Sequence, residues 1–181
     1  VPVAVNIENG IAAMALAQIA GVSEEEIRTA MLSFHGVDRR FDFRIKTDKM
    51  VYLSDYAHHP EEIRQSILSI KQLYEGRRIK AIFQPHLYTR TRDFYKDFAS
   101  ALSLLDDVAI VDIYPAREKP IPGVTSAIIY DNLTCAKREM ISKNEIIDTV
   151  RKGGFDVLVT LGAGDIEDYA EEITKVLQGE A

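Results

Sequence analysis

The chain has 181 residues, 46% apolar and 28% charged, which suits one globular domain or one domain with a piece of a second. A formal net charge of −6 argues against a dedicated nucleic-acid binder, because phosphate contacts need clustered Lys and Arg. No apolar run is long enough to span a bilayer, no signal peptide is visible, and the lone Cys135 excludes an internal disulfide, so a reducing, cytoplasmic setting is expected.

The chain opens on Val1 and enters a helical pattern almost at once, which reads as a fragment of a longer protein. Ile11, Met14, Ala15 and Ile19 recur at helical spacing. Ser23 and Glu26 form a capping box that starts a second helix, with Ile27, Met31 and Phe34 as its apolar stripe and Gly36 as its stop. Gly36–Asp42 (GVDRRFD) is charged and aperiodic, the best candidate for a linker. Phe43 and Ile45 then alternate with Arg44 and Lys46 as in a strand; Thr47–Lys49 turns the chain, and Val51–Leu53 returns as a second strand. Pro60 opens a helix, where its missing N–H costs nothing, and Ile63, Ile67, Ile70 and Tyr74 mark its apolar side. Ile79–Phe83, Val108–Ile113 and Val157–Leu161 are short, apolar and partly β-branched, which suits strands buried on both faces of a parallel sheet.

A helix carrying Phe94, Phe98, Ala101 and Leu105 follows the first of these runs. Another, capped by Asp165 and carrying Ile166, Tyr169, Ile173 and Leu177, follows the last. Between them Ser142 and Glu145 form a second capping box before Ile146 and Val150, and Gly153-Gly154 ends that helix. Strands alternating with helices predict an open α/β sheet.

In such sheets ligands bind past the carboxyl ends of the strands. Asp55, Tyr56, His58 and His59 follow the second strand; Gln84, His86, Tyr88, Arg90 and Arg92 follow the third. Tyr114, Arg117 and Glu118 follow the fourth, and Gly162, Gly164 and Asp165 the last. The four loops are expected to gather on one edge. Each element also has a plainer reading. His58 and His59 can cap a helix or face solvent. Arg90 and Arg92 can be surface charges, although two cations at a helix N-terminus suggest an anion held nearby. Gly162–Asp165 either approaches a phosphate or makes a tight turn ending in a cap. No third metal ligand stands at a recognisable spacing, so a metal site is not expected. A G-x-x-x-x-G-K-[ST] phosphate loop and a G-x-S-x-G elbow are both absent.

Two segments are distinctive. SDYAHHPEE (Ser54–Glu62) resembles D-D-Y-[GA]-H-H-P-x-E, and FQPHLYTRT (Phe83–Thr91) resembles F-Q-P-H-x-Y-[ST]-R-T. Both motifs belong to the Mur ligase family, in the branch that joins L-alanine to UDP-N-acetylmuramate. NIENGIAA (Asn6–Ala13), GVDRRF (Gly36–Phe41), YPAREKPIPGV (Tyr114–Val124) and LGAGDI (Leu161–Ile166) support the resemblance in the family's order.

The resemblance implies a helical tail of a central ATP-binding domain over residues 1–37. It implies a Rossmann-like C-terminal domain over 38–181, its mostly parallel sheet flanked by helices on both faces. The missing N-terminal and central domains are the implied partners in cis, with ATP and Mg2+ held mostly by the central one. The implied reaction belongs to peptidoglycan precursor synthesis: the muramoyl carboxylate is phosphorylated by ATP, then the amine of L-alanine attacks the acyl phosphate. The fragment alone, lacking the phosphate loop, is expected to be inactive. Asn9 matches the position that reads adenine, Asp55 the ribose-binding aspartate, and Arg39 or Arg40 the linker arginine that places the nucleotide. Tyr56, His58, His86 and Arg90 match positions around the alanine and the muramoyl carboxylate; Arg90 would grip a carboxylate and His58 would handle the amine's proton. Three positions depart from the pattern: Leu87 replaces an arginine, Ser54 the first aspartate of D-D-Y, and Val5 a histidine. Other readings are the related branch that recycles murein tripeptide, whose second motif resembles F-E-P-R-S, a non-catalytic nucleotide-binding module, and an unrelated α/β enzyme using the His pair for acid–base work.

Overall fold

The computed structural model describes residues 4–34 and 36–179. The expected outer bounds at Val1 and Ala181, and the side chain of Val5, lie outside that description. The chain forms two compact units, Val1–Asp38 and Arg39–Ala181.

The first unit is a helix pair, α1 (Ala4–Ile19) and α2 (Glu24–Ser33). The expected capping box starts α2: the Glu26 N–H donates to Ser23 Oγ at 3.4 Å, and the Ser23 N–H donates back to Glu26 Oε2 at 3.0 Å. Glu24, Glu25 and Glu26 place negative charge where the helix dipole favours it. The helix stops at Ser33, ahead of the expected Gly36, because Phe34 is already extended. No residue of α2 is buried, and Ile7, Ile11, Leu16, Ile19, Met31 and Leu32 are exposed. Two helices of this length are too small to enclose a core.

The second unit is a six-stranded sheet: β1 (Asp42–Lys46), β2 (Val51–Asp55), β3 (Ile79–Phe83), β4 (Asp107–Ile110), β5 (Lys137–Met140) and β6 (Val157–Leu161), ordered β1-β2-β6-β3-β4-β5. Only β1 runs antiparallel. The helices are α3 (Pro60–Leu73), α4 (Tyr88–Leu102), α5 (Ala127–Tyr130), α6 (Ile146–Arg151) and α7 (Ala170–Gln178). Strand alternation splits the core between the two faces. Tyr52, Ile82, Ala109 and Leu158 pack with Ile146, Ile147, Val150 and Ile173 of α6 and α7. Phe83 turns to the other face, where its ring meets Phe98 of α4 at 5.3 Å. The last strand, β6, pairs with both β2 and β3, so the strand order reverses there and the carboxyl ends of three neighbouring strands share one edge.

Four local expectations are corrected. The fourth strand spans Asp107–Ile110 rather than reaching Ile113. The expected linker is only partly a linker: Phe41 is buried and Asp42 already pairs with Ser54. Asp165 does not cap a helix with its side chain, which is bonded to Gln84 and Lys143; a 3-10 turn spans Asp165–Tyr169 and α7 begins only at Ala170. Finally, β5 and the one-turn α5 lie in a stretch where no element was expected.

Candidate functional site

The segments leaving β2, β6, β3 and β4 do converge on one edge. Gln84, one residue past β3, is buried and stitches two of them together. Its Nε2–H donates to Asp165 Oδ1 at 2.7 Å, and its Oε1 accepts from the Ile166 N–H at 3.0 Å. This packing explains the glycines. A Cβ at Gly162, whose φ is +145°, would lie 2.7 Å from the Gln84 carbonyl oxygen; one at Gly164 would lie 2.3 Å from Gln84 Oε1 and 2.7 Å from the Tyr114 ring. The Gly162–Asp165 stretch makes a tight turn packed against Gln84 and Tyr114, without the helix cap expected at Asp165. Burial works against the Asp165 carboxylate, but Lys143 and Gln84 hold its pKa below the usual value.

Past Gln84, the chain bridges to the segment after β4. The Leu87 N–H donates to the Tyr114 carbonyl at 2.9 Å, the Tyr114 N–H donates to the Pro85 carbonyl at 2.8 Å, and the His86 ring stacks on Tyr114 at 5.6 Å. Leu87 sits at φ +72°. Arg39, Phe41 and Ala116 also have positive φ, and such strain persists only where the surroundings enforce it.

The α4 N-terminus has an acidic partner that residue spacing did not reveal. Glu118 accepts from the Thr89 N–H at 3.0 Å and the Thr89 hydroxyl at 2.5 Å, which keeps its pKa low. That carboxylate supplies the negative charge expected near the two arginines. Arg92 pairs with its neighbour Asp93 at 2.7 Å. Arg90 differs: among the described residues no carboxylate stands within ion-pair distance of it, and its Nη1 donates to His86 Nδ1 at 3.3 Å.

His58 and His86 face each other with ring centroids 6.0 Å apart, and Tyr56 lies edge-on to His58 at 5.1 Å. His58 Nδ1 lies 2.9 Å from the Tyr56 carbonyl and 3.5 Å from Glu62 Oε2. Both neighbours only accept, so Nδ1–H is the donor toward them and Nε2 is the ring nitrogen left outside these contacts. Partial burial, then the Arg90 charge, pushes the pKa of His86 and His59 below the usual value, favouring neutral rings.

Asp55 is only 9% exposed. Its carboxylate accepts from the Ser66 hydroxyl and from the Ala57 N–H at 3.2 Å. Burial is the larger influence and raises its pKa. The structure also separates the two linker arginines. Arg40 is exposed. Arg39 lies over the Tyr56 ring at 4.7 Å, with its Nε 3.8 Å from Glu167 Oε2. Tyr56, His58, His86, Arg90 and Arg39 thus lie around the converging loops, with Asp55 beneath them. Asn9 is exposed on α1, in the other unit. The residue spacing gave no sign of Glu167; its partners are distant in sequence.

An open, mostly parallel sheet whose carboxyl edge carries neutral imidazoles and an unpaired guanidinium is a Rossmann-like domain suited to an anionic ligand. The chain belongs to the family described as Mur ligase, glutamate ligase domain, whose model matches residues 39–174. It is 64% identical over 178 residues to a UDP-N-acetylmuramate–L-alanine ligase of Phocaeicola vulgatus, a match that covers 98% of this chain and 39% of that protein. A ligase of the same name from Parabacteroides distasonis is 55% identical, with 98% and 38% covered. The crystal structure of the UDP-N-acetylmuramate-alanine ligase of Thermotoga maritima superposes with a TM-score of 0.78 at 27% identity, covering 100% of this chain and 39% of that one. The chain therefore spans about two fifths of the length of the relatives it matches.

Proposed function

We propose that this chain is the C-terminal part of an ATP-dependent ligase that joins L-alanine to UDP-N-acetylmuramate in the cytoplasm. The proposed division falls near residues 37 and 38, with 38–181 as the C-terminal domain. The observation that carries the reading is the cluster of Tyr56, His58, His86 and an Arg90 without a carboxylate partner. Arg90 binds and orients a carboxylate through its guanidinium. His58 Nε2 takes a proton from the incoming ammonium, since a neutral amine is the nucleophile in amide formation. Arg39 and Asp55 serve the nucleotide from the β2 side, and Asn9 the adenine. The half-exposed Arg39 guanidinium, whose Nε has no hydrogen-bond partner, fits a nucleotide. Among the described residues no group of three or more His, Cys, Asp or Glu could hold a metal ion, and magnesium commonly keeps waters and takes phosphate oxygens as ligands. The ion belongs, on this proposal, to residues outside the chain. No helix among the described residues is long and apolar enough to cross a membrane.

The test is phosphate release by the full-length protein with ATP, magnesium and UDP-N-acetylmuramate, comparing L-alanine with murein tripeptide. Turnover with alanine alone is expected. Turnover only with tripeptide, or with neither, overturns the reading.

A further inference from the structure

We infer that Glu167 is a positioning residue for the linker arginine, and that Ser54 is its required partner. Resting on the ligase reading above, the inference adds a three-residue device at the nucleotide side of the site. Glu167 lies in the 3-10 turn after β6, Ser54 near the end of β2, and Arg39 at the start of the second unit. A single oxygen, Glu167 Oε2, accepts from Ser54 Oγ at 2.5 Å and lies 3.8 Å from Arg39 Nε. Arg39 is fixed by its backbone as well: its carbonyl accepts from the Tyr56 N–H at 2.6 Å, its φ is +64°, and its guanidinium rests over the Tyr56 ring. Glu167 supplies the charge that holds that guanidinium over the ring rather than in solvent.

The same geometry accounts for Ser54, where the family motif carries aspartate. A hydroxyl can donate to Glu167; a carboxylate there can only accept, and two like charges in hydrogen-bond contact repel. Ser54 and Glu167 therefore act as one unit, and the departure from the motif suits the acid facing it. Glu167 retains 21% of its side-chain exposure and Arg39 40%, so the pair is solvent-screened and its role is orientation rather than stability.

The experiment uses the full-length protein and steady-state kinetics, after alanine-dependent phosphate release by the wild type has been shown. Its absence in the wild type would defeat the ligase reading itself; a working wild type isolates the present inference. Glu167→Gln keeps an acceptor for Ser54 and removes the charge. It is expected to raise KM for ATP about three- to fivefold, what a solvent-screened ion pair is worth, while kcat and KM for L-alanine move less than about twofold on the same basis. In an Arg39→Ala background, Glu167→Gln is expected to add nothing, because the residue acts through the arginine. Ser54→Asp is expected to weaken ATP use more than Glu167→Gln does, and Ser54→Asp with Glu167→Gln to recover to the level of Glu167→Gln alone, because the like-charge repulsion is gone. Additive effects of Glu167→Gln and Arg39→Ala, an equal change in the alanine parameters, or no recovery in the Ser54→Asp double variant would each overturn the inference. A merely structural role would change kcat and the alanine parameters along with KM for ATP.

Discussion

Asp55→Asn is expected to make the second unit more stable and, on the ligase proposal, a poorer user of ATP. The Asp55 carboxylate has lost most of its hydration, at an effective penalty of several kcal/mol for a buried ion. It recovers two hydrogen bonds, from Ser66 and Ala57, each worth about 1.5–3 kcal/mol to a charged acceptor. The raised pKa shows that these do not fully offset burial. An asparagine can keep its oxygen toward the Ala57 N–H and donate its amide N–H to Ser66 Oγ, because a hydroxyl can accept as well as donate. The gain is then about 1–2 kcal/mol, or a rise in Tm of about 2–6 °C for a domain of this size.

The sign with pH follows from the direction of the shift. A carboxylate whose folded pKa lies above its unfolded value of 3.8 binds protons more readily when folded, so wild-type stability gains as pH falls from the folded value toward 3.8. The difference in Tm between Asp55→Asn and wild type is therefore largest at neutral pH and shrinks in acid. Thermal melts followed by circular dichroism from neutral to acidic pH measure it. A variant that melts below wild type at neutral pH, or a difference that does not change with pH, would refute the reasoning.

Gly164→Ala should lower Tm by about 5–15 °C, since the added methyl overlaps Gln84 and Tyr114 and disrupts the buried amide network for about 2–4 kcal/mol; a melt within 2 °C of wild type would show that the loop yields ~ freely. Lys80→Ala should lower the urea-unfolding free energy by about 3 kcal/mol, because Lys80 is almost fully buried between Asp107 at 2.9 Å and Glu139 at 2.7 Å. Burial opposes the Lys80 charge, but hydrogen bonds from its ammonium to Glu139 and Asp107 raise its pKa above 10.5; its contribution is full below 10.5 and fades as pH rises through the higher folded value.

The helices and the buried parallel strands were legible because they carry a period or an unbroken apolar run. The edge strand β5 was not: Lys137, Arg138 and Glu139 read as loop, yet charge on an exposed edge is how a sheet avoids pairing with another chain. The site was legible as a place, since parallel strands deliver their loops to one edge. Its wiring was not. Spacing could not choose between Arg39 and Arg40, nor show that Asp165 serves Gln84 and Lys143 instead of a helix end, nor that Glu118 caps α4 from another loop. Each of these depends on residues that meet only when the sheet has formed. Leu87 shows the reverse: its side chain departs from the family pattern, but its strained backbone still sets the start of α4.

The charges at this edge have a common logic. Glu62 accepts from the N–H groups of His58 and His59 at 3.0 and 3.1 Å and helps fix α3; Glu118 does the same for α4 through Thr89. Asp55, Asp165 and Glu167 are likewise bound by donors within the second unit. These acids are thus engaged in positioning backbone and side chains, while among the described residues no carboxylate lies within ion-pair distance of the Arg90 guanidinium, which donates to His86. Burial first, and then the charge of the same arginine, lowers the pKa of His59 and His86 and favours their neutral forms. On the ligase proposal, Arg90 takes a carboxylate next to His58, which accepts a proton, the pairing that amide formation from an ammonium and an activated acid requires.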